Sequence, residues 1–185
     1  MKSPRPGLGG GVGLSTGEDR DCRLPPALAA AKRPERIVGR GFRCWMAAYL
    51  SPDGVCCRNA LHLYASDLGD QAAKAIMPEL CVWVHAIHAA AAREIEIYPP
   101  ACAGFCRDEC LAISMIAASQ CDSSSSVRAC AFALTGVGTI DDVVETAGRF
   151  GRALHRSGIV FGDASIALAV TSVGPRSLPG GSVKM

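Results

Sequence analysis

From Gly41 to about Gly158 the apolar positions of the chain recur at helical spacing, and on either side of that stretch they do not. Phe42, Trp45, Met46 and Tyr49 follow the steps of three and four that put side chains on one helix face, and they predict a first helix. Ser51-Pro52 ends it and opens a second, with Ser51 as cap and Pro52 at the first helical position. The second helix is expected to bury Cys57, Leu61, Tyr64 and Leu68 and to stop at Gly69. Asp70 caps a further segment through Met77, where Pro78 kinks or restarts the chain. Residues 78–93 then place Leu80, Val84, Ile87 and Ala91 on one stripe.

Residues 94–98 form a short extended stretch closed by Pro99-Pro100. Residues 101–120 read as a helix that is apolar on most sides, as a central helix would be. Asp122 and the serines at 123–126 make a capping turn, followed by a short helix to Leu134 and Gly136. Thr139 with Asp142 three residues on resembles a capping box. It opens the clearest amphipathic pattern in the chain: Ile140, Val143, Val144, Ala147, Phe150 and Leu154. The expected fold is therefore all-α, a compact bundle of five or six short helices over residues 41–158. Residues 1–40, rich in Pro, Gly and Arg, read as a disordered arm. Residues 159–173 are apolar and fit either a strand or a helix, and 174–185 read as a disordered tail.

Composition agrees with this pattern. Apolar residues make up 49% of the 185, enough for a core, while aromatics are only 5% and alanine is abundant, which favours helix. The net charge of +2 excludes a strongly polyanionic or nucleic-acid-coating protein, so nucleic acid is an unlikely partner. The charge is uneven: residues 1–43 carry nine Lys/Arg against four Asp/Glu, and the remainder is mildly acidic. Lys32, Arg33, Arg36, Arg40 and Arg43 lack interleaved aromatics and are expected to be a solvated basic arm. No secretory signal and no membrane span are legible, so the expected compartment is the cytoplasm, where cysteines stay reduced.

Ten cysteines then need an account. The sharpest arrangement is CAGFCRDEC: Cys102, Cys106 and Cys110. On a helix these share a face, with Cys121 rejoining it three turns later. Neighbouring thiolates about 6 Å apart along the axis can share a soft ion, which suits Cu(I), or Zn completed from a second helix. Cys81, His85 and His88, at i, i+4 and i+7, supply a second ligand face. Carboxylate pairs at Asp108-Glu109 and Asp141-Asp142 point apart on a helix and do not form an acid–base dyad.

The evenly pitched row at 102, 106 and 110 is similar to the cysteine rows of cytosolic copper-storage four-helix bundles, over about nine residues. That resemblance implies Cu(I) at these positions; the other helices of this chain lack such rows. A redox thiol is a further reading. Cys102 would sit in the first turn, where the helix dipole favours thiolate, and Arg107 adjoins Cys106. The plain alternative is packing, since free Cys behaves as a small hydrophobe and lets helices approach closely. The leading functional class is a small non-enzymatic helical protein of a regulatory kind, acting on a protein partner or as a homo-oligomer. The rival class is a metal-binding or thiol-redox bundle.

Overall fold

The computed structural model describes residues 33–50 and 55–162 of the chain. They form six helices: α1 (Arg33–Leu50), α2 (Val55–Leu68), α3 (Asp70–Ala90), α4 (Arg107–Gln120), α5 (Ser124–Thr135) and α6 (Asp141–Arg156). The expected all-α bundle is thus the observed one, and no strand occurs among the described residues. Residues 1–32, expected to be an arm, the apolar residues 163–173, expected to be strand or helix, residues 174–185, expected to be a tail, and the break at Ser51-Pro52 lie outside the described residues. None of the helices described is long and apolar enough to cross a membrane.

α4 is the axis of the bundle. Every residue from Asp108 to Ala118 is buried, and α1, α5 and α6 all pack against it. α3 packs on α6, α2 and α1. The two layers meet at Trp83 of α3, which is wholly buried. Its ring stacks on Phe150 of α6 at 5.2 Å and lies tilted to Phe42 of α1 at 5.7 Å. Aromatic pairs in such offset arrangements contribute about 0.5–1.5 kcal/mol beyond the area they bury. In a chain with few aromatics, this trio joins three helices through one side chain.

Four local expectations need correction. First, α1 begins at Arg33, inside the segment read as an arm. Pro34 suits a first helical turn, and Ile37 and Val38 are wholly buried in the core. Gly39 and Gly41 disguised this helix, because mid-helix glycine disfavours helix by roughly 1 kcal/mol. They are required by close approach: a Cβ on Gly39 would overlap the Phe105 ring, and one on Gly41 the Tyr64 ring. Tyr64 uses that approach to donate its hydroxyl to the Ile37 carbonyl at 3.1 Å.

Second, Leu61 is exposed, while α2 buries Tyr64 as expected and Ala60 beside it; the side chain of Cys57 lies outside the described residues. Third, α3 runs unbroken through Pro78. Pro78 and Lys74 are both on the exposed side, where water can satisfy the Lys74 carbonyl that proline leaves without a donor. Fourth, α6 is capped at Ile140 without a side-chain bond, so Thr139 and Asp142 form no capping box. Thr139 falls one residue outside the cap, and the first turn is served instead by Asp141 and Asp142 against the helix dipole. The expected core face of α6 does form: Val143, Ala147, Phe150 and Leu154 are buried.

Candidate functional site

α4 starts at Arg107, not near 101, and this decides the fate of the cysteine row. A helix beginning at 101 would need the Cys102 carbonyl to accept the Cys106 amide. Both groups are engaged elsewhere. The Arg43 guanidinium takes the carbonyls of Cys102 at 2.7 Å and Pro99 at 3.3 Å, and that of Gly104 as well. The Cys106 amide donates to Glu109 Oε2 at 2.8 Å. The segment 99–106 therefore wraps a buried cation instead of coiling, and Cys102, Cys106 and Cys110 do not line one helix face.

Each of the three has a separate place. Cys102 is half-buried in the wrapping segment. Cys106 is the N-cap of α4 and closes a capping box with Glu109, its sulfur accepting the Glu109 backbone N–H. Its thiol donates to the Glu96 carbonyl at 3.0 Å. Cys110, buried in the first turn, directs its thiol at the Phe105 carbonyl at 3.9 Å. Cys121 is the C-cap of α4 and is exposed.

Burial, and then the Glu109 charge, push the Cys106 thiol up to about 12 and the Cys110 thiol up to about 11. The expectation that Arg107 would favour a Cys106 thiolate is not met, because burial first, and then the Glu109 carboxylate, raise the thiol's pKa. No disulfide joins cysteines among the described residues.

The second expected ligand face is on α3. Cys81 is half-buried, and its thiol is pushed up by burial. His85 and His88 are exposed and share one partner, Tyr49 of α1. The Tyr49 ring stacks on His88 at 4.1 Å and 17°, and its hydroxyl lies 3.1 Å from His85 Nδ1. The structure thus brings the two histidines together with a tyrosine rather than with the cysteines of 102–110. Among the described residues, no group of three or more His, Cys, Asp or Glu is placed to hold a metal ion.

The strongest electrostatics lie around α4's first turn, where the two adjacent carboxylates diverge as a helix requires. Glu109 receives Arg43 Nε at 2.6 Å and Nη2 at 3.0 Å, a two-pronged pair with both side chains buried. Burial opposes the Arg43 charge, and the Glu109 carboxylate outweighs it, so the guanidinium's pKa is raised. Asp108 receives Arg93 through two bonds of 2.7 Å and the Glu96 amide at 2.9 Å. Arg43 also lies over the Phe105 ring at 5.4 Å. These groups hold residues 91–106 in an ordered but non-helical path. Arg43 was read with the solvated arm, and only its position four residues past Gly39, on the face of Phe42 and Met46, hinted at burial.

A separate surface feature lies elsewhere. A groove of about 560 Å³ runs between the C-terminal half of α3 and the start of α6. Val82, His85, Ala86, Ala89 and Ala90 line it from α3, and Thr139, Asp142, Val143, Glu145 and Thr146 from the start of α6 and the residue pair before it. Val82 is 40% exposed there. No family model matches the chain, and no characterised protein or solved structure was found to resemble it.

Proposed function

We propose that this chain is a small non-enzymatic helical protein that acts through protein interaction, with the α3–α6 groove as its contact surface. The groove carries this reading. It is a continuous concave strip of small apolar side chains, with the exposed Val82 among them. Concave apolar strips between helices accept a partner segment whose larger side chains fill the space that alanines leave.

The chemistry of the other candidate residues supports the same class. The buried charges of α4 are consumed by each other, Arg43 by Glu109 and Arg93 by Asp108. The buried thiols of Cys106 and Cys110 are held protonated near neutral pH, where a thiol is a poor nucleophile. Their arrangement serves the fold of residues 91–106, which leaves recognition by shape to the surface.

The test is affinity capture with the full chain as bait, comparing wild type with Ala89→Arg and Phe132→Ala. Ala89 is exposed in the groove, and Phe132 is exposed on α5. Both variants are checked for native helicity by circular dichroism. The reading expects a captured protein that Ala89→Arg loses and Phe132→Ala keeps. Identical capture by all three baits removes the groove from the mechanism.

A further inference from the structure

Resting on the reading that this chain acts by protein contact at the α3–α6 groove, we infer that the partner there is a second copy of the chain, with the two α6 helices antiparallel across a two-fold axis. One stripe of α6 carries this. Asp142, Glu145, Arg149, Arg152 and Arg156 are all exposed and follow one another in steps of three and four. On a helix such steps stay within about 80° of arc, so the five form a single line of charge along α6. Its sign changes once: the N-terminal end is acidic and the C-terminal end basic.

Two neighbouring charges are already matched within the chain. Arg149, at the middle of the stripe, is held by Glu79 of α3, Nε to Oε2 at 3.0 Å and Nη2 to Oε1 at 3.1 Å. Asp141, beside the stripe, pairs with Arg128 at 2.7 Å. Among the described residues, Asp142, Glu145, Arg152 and Arg156 take part in no ion pair. Two acids and two bases are left, and their spacing is self-complementary. α6 runs from Asp141 to Arg156, so Asp142 and Arg156 stand about equally far from its midpoint, and so do Glu145 and Arg152. An antiparallel second α6 therefore sets Asp142 opposite Arg156 of the second copy, and Glu145 opposite Arg152. Two-fold symmetry makes each pair twice and puts the matched Arg149 at the axis. A parallel arrangement would set like charge against like, which suppresses it. The antiparallel one also brings opposite ends of the two helix dipoles together.

Exposed ion pairs add little affinity one at a time, so here they fix orientation and register. Apolar burial comes from the groove. Asp142 and Glu145 line the groove as well as the stripe, so a helix laid along the stripe covers the α6 wall beside Val82, Ala86 and Ala89.

The test is sedimentation of the full chain at low salt, comparing wild type with two double variants, Asp142→Lys/Glu145→Lys and Arg152→Glu/Arg156→Glu. Wild type should be a dimer. Each variant alone sets like charges together and should dimerise about tenfold more weakly or worse. An equimolar mixture of the two restores all four pairs and should form a one-to-one heterodimer. Circular dichroism checks helicity. Should a variant fail to fold, the wild-type salt series decides: dissociation should rise about tenfold between about 0.05 and about 0.5 M NaCl. A wild-type dimer indifferent to salt, or one that both folded variants keep at full strength, uses another face and overturns the inference. A monomeric wild type also overturns it, and leaves the groove reading to its own capture comparison with Ala89→Arg.

Discussion

Arg43 of α1 and Glu109 of α4, 66 residues apart in sequence, meet in a two-pronged ion pair that is 2% and 0% exposed. All five guanidinium donors have acceptors: two on Glu109 and three on the carbonyls of Pro99, Cys102 and Gly104. Such full satisfaction is what makes a buried charge tolerable. The pair sets where α4 begins, because it takes the carbonyls that a longer helix would need. Removing one partner leaves the other charge buried and unpaired. Arg43→Met and Glu109→Gln should each cost about 3–5 kcal/mol in urea unfolding. In the double variant the coupling should return part of that loss. Additive losses would mean that the two groups act independently.

Cys106 is a structural cap in this arrangement, and a cap ranks two substitutions in the order opposite to a packing role. Serine keeps both the acceptor for the Glu109 amide and the donor to the Glu96 carbonyl. Alanine keeps neither. Cys106→Ala should lose about 0.5–2 kcal/mol, while Cys106→Ser should stay close to wild type. A residue that merely packs would reverse the order, since alanine preserves a small apolar site. Unfolding midpoints of the two variants decide between them. Zn and Cu(I) titrations of wild type and Cys106→Ser should give equal uptake.

The legible part of this fold was its periodicity, and the illegible part was its exceptions to propensity. The stripe Leu80, Val84 and Ile87, and the face of α6, could be read because burial and helical spacing coincide there. The start of α1 could not, because Gly39 and Gly41 signal flexibility in sequence and close packing in space. The 102–110 row failed for a related reason. Steps of four in sequence imply one face only if the backbone is helical, and a guanidinium 59 residues before Cys102 decided that it was not. Pro99-Pro100 and Gly104 were the local signals against helix, and the even cysteine pitch outweighed them. The divergence of Asp108 and Glu109 was predictable from adjacency alone; their arginine partners were not.

Ile37 tests the corrected start of α1. It is wholly buried although it lies in a Pro/Gly/Arg-rich context. Ile37→Ala should destabilise by about 2–5 kcal/mol. A change under about 0.5 kcal/mol, the range of ordinary surface substitutions, would return this segment to the status of an arm.

Trp83 offers a contrast within the same core. Its ring is wholly buried between Phe42 and Phe150, yet its indole N–H has no hydrogen-bond partner among the described residues. Trp83→Ala should cost about 3–5 kcal/mol for the cavity it leaves. Trp83→Phe loses area but also removes an unsatisfied donor, whose burial costs about 1–3 kcal/mol. The phenylalanine variant should therefore lie within about 1.5 kcal/mol of wild type by thermal or urea unfolding. A loss equal to that of alanine would show that the indole's shape, and not the aromatic stack, supports the junction.

The buried thiols set the alkaline limit of stability. Folding pushes Cys106 up to about 12, and Cys110 and Cys130 up to about 11, from an ordinary value of 9.0, mainly by burial. Between those values the unfolded chain has released the proton and the folded chain still holds it. The unfolded state then binds fewer protons, so stability falls as pH rises. Below pH 9 the contribution is fully present; it declines from about 9 towards 11 and 12 and is lost above the folded values. Urea midpoints measured from pH 8 to 10.5 should decrease steadily. Cys130→Ala should flatten the slope by its share, because Cys130 lies away from α4's first turn, on α5. The same thiols should react slowly with iodoacetamide at pH 8, with exposed Cys121 modified before them in peptide mapping. Early modification of Cys106 or Cys110 under native conditions, with no slope in the alkaline titration, would mean that the first turn of α4 opens readily and that its carboxylate and guanidinium do not hold it shut.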